Sequence, residues 1–329
     1  MMTKRKVFLI GIFSLIGIAL MVAVAYAHLF GPVDPYAQQT QFIVSEDETT
    51  YQVVTALRAQ GFIRSRTAFQ IAYDSDNKDH LTTIRPGGYE ISANMDVWSI
   101  AHALQQPPYL VFFTFPPGWR KEQIADKLTS VLGWTASQKQ EWLNVDTAPS
   151  PSYVEGVYFP DTYLIPSDQT PAQIAERFRD RFQQEFAPYA SKAAQEGLPW
   201  TEVVILASLL QREAAGPADM PLISGIMLNR LKKHMALQID ATLQYVVGNE
   251  ANWWPVPTSS DKFVDSPFNT YEHAGLPPHP IDEPSLTAIN AVLNAKATSC
   301  LFYLHDTDGN IHCSDTYAGQ IANVQKYLK

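Results

Sequence analysis

Glu213 is the residue of this chain whose surroundings most clearly suggest acid–base chemistry. It closes the run PWTEVVILASLLQRE, in which Leu206, Leu209, Leu210 and Glu213 recur at helical spacing and so share one face. Thr201 is expected to cap this helix, Glu202 suits its first turn, and Gly216-Pro217 is expected to stop it. In the last turn, apolar neighbours and the negative end of the helix dipole both disfavour ionisation, so Glu213 would keep its proton above the ordinary carboxylate range. A neutral carboxylic acid of that kind can protonate a leaving-group oxygen. The residues alone leave a second reading open: a glutamate at a helix end that turns to solvent or pairs with a Lys or Arg.

The elements that must position Glu213 follow from the rest of the chain. Its 329 residues, 46% hydrophobic and 17% charged, suffice for two or three modest domains around a sizeable core. A net charge of −9 argues against a nucleic-acid partner reached by bulk electrostatics. Lys4, Arg5 and Lys6 precede an uncharged apolar stretch, residues 7–27, long enough to span a hydrocarbon core of about 30 Å. The basic flank predicts a cytoplasmic N-terminus. Ala25-Tyr26-Ala27 is similar to a signal-peptidase site, but the apolar run exceeds a signal-peptide core, which favours a retained anchor. Either reading exports everything after residue 30.

Gly31-Pro32-Val33-Asp34-Pro35 reads as a stiff linker, assigned to residues 31–39. A strand at QFIV, a polar turn and a helix with Val53, Val54 and Leu57 are echoed later by YLVFFTF, PPG and a helix with Ile124, Ala125 and Leu128. Residues 40–134 therefore predict a small α+β module, in which Tyr89, Trp98 and Trp119 either stack on sugar rings or pack the core. Residues 135–152 form a connector, and a mainly helical domain is expected from Tyr153 to the end. In it, Ile174, Phe178, Phe182 and Phe186 mark a scaffold helix. Cys300 and Cys313 flank a predicted hairpin turning at Asp308-Gly309. Its register is not fixed by sequence, so a disulfide and two free thiols both remain open. No Cys/His spacing suggests a metal site, and no cofactor is expected.

EGVYFPDTY (155–163), LASLLQRE (206–213), NRL (229–231), LQIDAT (237–242), FNTY (268–271) and GLPPHPI (275–281) occur in an order that resembles the YceG-like (MltG) endolytic murein transglycosylases. The resemblance covers nearly the whole exported part and implies an inner-membrane anchor, a LysM-like module and a catalytic domain. It implies cleavage of the β-1,4 bond from N-acetylmuramic acid to N-acetylglucosamine in peptidoglycan. The catalytic glutamate of that family falls on Glu213, acting as acid and then as base on the muramoyl C6 hydroxyl to leave a 1,6-anhydro end. Because the attacking hydroxyl belongs to the substrate, no second carboxylate is needed to activate water. The resemblance also makes Gln238, Asp240, Thr242, Asn269, Tyr271, Asp161 and Tyr163 candidate substrate-binding residues, though turn or capping contacts would explain the same residue types. Asn229 and Arg230 are expected to tie helices together.

The chain departs from the family pattern at Gln211, in place of a first glutamate, at Ala241, at 265–268, and at Gly319-Gln320, in place of a Glu-His pair. Two other functions stay open: an anchored, catalytically silent peptidoglycan-binding scaffold, and a hydrolytic muramidase pairing Glu213 with Asp240 or Asp161. Peptidoglycan strands, the inner membrane and nearby peptidoglycan synthases are the expected partners.

Overall fold

The chain falls into two compact units, residues 1–113 with 163–168, and residues 114–162 with 169–329. The computed structural model describes residues 4–76, 83–150, 152 and 154–328. The expected domain start at Tyr153 and the side chains of the basic flank at Lys4, Arg5 and Lys6 lie outside the described residues.

The first unit opens with α1, Lys4–Phe30, whose segment Ile12–Phe30 has a mean hydropathy of 2.2 and is long and apolar enough to cross a membrane. The helix runs three residues past the apolar stretch read from sequence, and its end is closed by a distant side chain. The Arg64 guanidinium donates to the carbonyls of His28 and Gly31, both at 3.1 Å, and of Val33 at 2.9 Å. The His28 carbonyl, which the last helical turn leaves without a partner, is thereby satisfied together with two carbonyls of the segment that follows. Trp98 Nε1 donates to Tyr26 Oη at 3.0 Å, and the Trp98 ring stacks on Phe30.

Beyond α1 come β1 (Thr40–Val44), α2 (Thr50–Ala59), α3 (Arg66–Asp76), β2 (Gly87–Ile91), α4 (Val97–Ala103), β3 (Leu110–Thr114) and, after a long excursion, β4 (Thr162–Pro166). The sheet order is β1-β2-β3-β4, with β2 antiparallel to both neighbours described, Phe42 opposite Tyr89 and Gly88 opposite Leu110. Gly87, at φ 140°, and Gly88 admit this crossing, because a Cβ on either would fall within 3.0 Å of Pro108 or Leu110. α2 is held by a capping box between Thr49 and Gln52, and it buries the predicted Val53, Val54 and Leu57. Tyr89 is 3% exposed and donates to Arg85 O, so it packs this core and offers no face to a sugar.

The second unit holds α5 (Lys121–Leu132), α6 (Ala136–Glu141) running into a wide turn at Trp142–Asp146, α7 (Pro171–Gln195), α8 (Trp200–Glu213), α9 (Met220–Lys232), α10 (Asp240–Val247) and α11 (Leu286–Leu293). A hairpin, β5 (Phe302–His305) and β6 (Ile311–Ser314), and α12 (Tyr317–Tyr327) complete it. The second strand–turn–helix copy is divided between the units: β3 belongs largely to the first and α5 to the second. Ile174, Phe178, Phe182 and Phe186 are buried along α7, as their spacing requires.

α8 is the centre of this unit. Every residue from Val203 to Leu210 is buried, and α7, α9, α10 and α11 pack around it. A segment so enclosed must be apolar all round, which residues 203–210 are apart from Ser208. Ser208 meets this demand by donating to Ile205 O at 2.8 Å and accepting from Ile281 N at 3.1 Å. Thr201 does not cap α8 as expected: the helix begins at Trp200 behind Pro199, so Thr201 already lies inside the first turn. The chain turns extended at Ala214, ending α8 on Glu213, short of Gly216-Pro217.

Candidate active site

Glu213 emerges from the buried core at the last position of α8, half-buried. Its Oε2 accepts from Tyr303 Oη at 2.7 Å, and the Ala241 backbone N–H also donates to the carboxylate. Burial pushes its proton affinity up, and the Asp240 charge adds to this. The Tyr303 and Ala241 donors and His305 pull the other way, and the net position is above the usual carboxylate range. The group is therefore suited to hold and donate a proton.

Two interlocked sequence motifs stand next to Glu213, through Asp240 and Ala241. Asp240 opens α10, is exposed, and its Oδ1 accepts from Tyr271 Oη at 2.5 Å. Gln238, also exposed, takes a left-handed backbone at φ 56° while its N–H donates to Thr270 O at 2.9 Å. Ile239 N donates to Thr270 Oγ1 at 3.0 Å, and Thr242 Oγ1 donates to Ile239 O at 2.7 Å. Asn269 Nδ2 donates to the carbonyls of Lys262 and Val264, and its Oδ1 accepts from Tyr271 N at 3.0 Å. Thr242 and Asn269 are both fully buried: the Thr242 hydroxyl also meets Thr270 Oγ1 across the two motifs at 3.0 Å, whereas Asn269 spends its polar atoms within its own loop.

The structure thus brings Glu213, Asp240 and Tyr271 together, with Gln238, Thr242 and Asn269 on the same loop pair. The Asp161 carboxylate accepts from Arg181 Nε at 3.0 Å and from Thr162 N at 2.8 Å, and Tyr163 is buried on β4 in the first unit.

The departures from the family pattern have visible roles. Gln211 Oε1 accepts from the N–H of Ser285 at 3.1 Å, tying α8 to the N-terminus of α11. Gln320 Nε2 donates to the carbonyl of Tyr303 at 2.9 Å, so α12 braces the strand that carries the phenol. Asn229 and Arg230 link α9 to the start of the hairpin rather than to another helix, through Thr298 O, Cys300 O and Leu301 O. Cys300 and Cys313 are disulfide-bonded, with Cα atoms 5.9 Å apart.

Sequence reasoning missed Tyr303, which approaches Glu213 from a hairpin 90 residues away. It also missed Glu155, Asp282 and Glu283, all fully buried. Glu155 accepts from Lys121 N at 2.5 Å and from Tyr245 Oη at 3.1 Å, while Glu283 accepts from Gly156 N at 3.0 Å and Tyr158 N at 2.7 Å. The two carboxyls lie against each other, and burial pushes both well above the ordinary carboxylate range. A cue was present in Asp282-Glu283 directly after the apolar GLPPHPI segment, where a surface turn would not be so hydrophobic.

A helix of membrane-spanning length, a four-stranded mixed unit and a helical unit with a glutamate of raised proton affinity at the end of its central helix make up an α+β protein with a candidate acid site. A sequence model of the YceG-like family matches residues 42–326, and the chain belongs to that family. It is 25% identical over 333 residues to an endolytic murein transglycosylase of Streptococcus pneumoniae serotype 2 (strain D39 / NCTC 7466), covering 90% of this chain and 60% of that protein. Against a protein of the same description from Bacillus subtilis (strain 168), identity is 24% over 325 residues, covering 91% of this chain and 88% of the relative. The chain thus spans about 60% of the length of the pneumococcal relative. A crystal structure of a putative YceG-like protein from Listeria monocytogenes has a similar fold, with TM-score 0.59, 23% identity, and coverage of 87% of this chain and 99% of that one.

Proposed function

We propose that this protein is a membrane-anchored lytic transglycosylase that cuts peptidoglycan glycan strands at the bond from N-acetylmuramic acid to N-acetylglucosamine. The observation that carries the reading is Glu213 itself: a half-buried residue at the end of a buried helix, its proton affinity raised by burial and its carboxyl bonded by Tyr303. Glu213 protonates the glycosidic oxygen as the bond to C1 breaks. The resulting carboxylate then takes the proton of the muramoyl C6 hydroxyl, whose oxygen closes on C1 to give the 1,6-anhydro end. Exposed Gln238 and Asp240 with half-buried Tyr271 offer hydrogen bonds to sugar hydroxyl and N-acetyl groups, and buried Thr242 and Asn269 fix the loops that carry them.

In this reading residues 1–30 are a cytoplasmic tip and single inner-membrane anchor, 31–39 a linker, 40–134 a LysM-like module, 135–152 a connector and 153–329 the catalytic domain. The N-terminus is cytoplasmic and the catalytic domain faces nascent strands beside the synthases that make them. A second reading, a hydrolytic muramidase, draws on the Asp240 charge that acts on Glu213, because a second carboxylate is what water activation or a glycosyl intermediate needs.

Mass spectrometry of uncrosslinked strands digested by the full-length protein, beside Glu213→Gln, tests the assignment. Anhydro-muramoyl ends from the wild type alone support it. Reducing ends favour the muramidase, and strands bound but uncut by either protein would leave a scaffold.

A further inference from the structure

Tyr303 is held from several directions at once. Its carbonyl accepts from Gln320, its cross-strand partner in the hairpin is Cys313, and Cys313 is bonded to Cys300 at the base of β5. Arg230 Nε donates to Leu301 O at 2.6 Å, and Asn229 Nδ2 to Cys300 O at 3.2 Å, so α9 grips the same base. The phenol at the end of this support donates to Glu213 Oε2 at 2.7 Å. A hydroxyl on so constrained a strand cannot follow a drifting carboxyl, and therefore selects one orientation of it.

We propose that Tyr303, carried on the Cys300–Cys313 hairpin, is a positioning residue that orients the Glu213 carboxyl for both of its proton transfers. This rests on the acid-then-base reading of Glu213 given above. A group that must lose a proton and regain it within one turnover works best when neither form is strongly preferred. Burial and Asp240 favour the neutral acid, whereas Tyr303, the Ala241 N–H and His305 favour the carboxylate. The charged and titratable groups around the pair are Arg212 on α8, Asp240 on α10, Tyr271 beside it, His305 on β5 with its partner Asp219, and Arg230 on α9, which faces Tyr303 and Tyr271. Among these, Tyr303 donates directly to the carboxylate from a covalently closed loop.

The test is the titration of Glu213 in the full chain in detergent micelles, read by carbon NMR of carboxyl-labelled glutamate and assigned with Glu213→Gln. Tyr303→Phe keeps the ring and removes the donor. Its Glu213 midpoint is expected at higher pH than in the wild type. Strand cleavage should slow by about tenfold or more, the scale of one hydrogen bond to a charged group, and the alkaline limb of its pH profile should move up as well. Cys300→Ser with Cys313→Ser, which leaves the phenol in place on a looser strand, should move the midpoint part of the way. An unmoved midpoint in Tyr303→Phe overturns the inference, as does a loss of cleavage that is uniform across pH. Wild-type cleavage by Glu213→Gln would instead remove the catalytic reading, and the NMR titration would still judge the Tyr303–Glu213 coupling on its own.

Discussion

At the scale of single residues, the same side-chain chemistry serves different ends according to burial. Asn269 and Thr242 are residue types that bind sugars, yet both are closed to solvent and spend their polar atoms on the backbone around them. Asn269→Ala would take this partner from the part-buried carbonyls of Lys262 and Val264 and from the Tyr271 N–H, a loss of about 2 kcal/mol, readable in urea unfolding. Asp282 is fully buried with no hydrogen-bond partner on either oxygen among the described residues, and burial pushes it well above its ordinary range against the pull of Arg212. A carboxyl raised in the folded state holds a proton that the unfolded chain releases near pH 4. Its contribution to stability is therefore lost as pH climbs from the unfolded value towards the folded one. Asp282→Asn should flatten the fall of the urea midpoint between pH 5 and pH 8; an unchanged slope would assign that fall to other groups. Sequence pattern made Glu213 legible because its apolar neighbours lie in the same helix. Tyr303 and Glu155 were not legible because what surrounds them comes from remote parts of the chain, whereas Asp282 and Glu283 left a cue in the apolar segment before them.

At the scale of elements, periodicity read the helices better than their ends. The buried positions of α2, α5 and α7 follow from spacing alone, whereas α8 starts at Trp200 because the preceding Leu198-Pro199 entry overrides the capping preference of Thr201. The hairpin was visible in its turn residues, but its register was not. In the structure Tyr303 faces Cys313, and Cys300 lies just before β5. Because the bridge closes a loop with a sequence separation of 13, replacing both cysteines with serine should cost about 3 kcal/mol. A thermal melt of the double variant checks this, and an unchanged melting temperature would mean that Asn229, Arg230 and Gln320 alone hold the hairpin.

At the scale of the whole molecule, the sequence foretold an apolar N-terminal helix, a mixed sheet unit and a helical unit ending in a hairpin, and the structure has that architecture. It could not foretell that the chain returns to the first unit as β4 after entering the second, since strand order is a long-range property. Nor was the Arg64 clasp on the end of α1 visible, because its acceptors are backbone carbonyls that no side-chain pattern marks. Arg64→Ala should free the segment after α1, seen as faster protease cleavage within residues 31–39 of the full chain; an unchanged rate would show that Trp98 and Tyr26 suffice. The central claim, that Glu213 drives an intramolecular attack and not hydrolysis, is tested most directly by digesting uncrosslinked glycan strands in water labelled with heavy oxygen. The account predicts new muramoyl ends that are anhydro and carry no label, formed by the wild type and reduced by about 10² to 10⁴-fold in Glu213→Gln. Heavy oxygen at C1 of the new ends would contradict it.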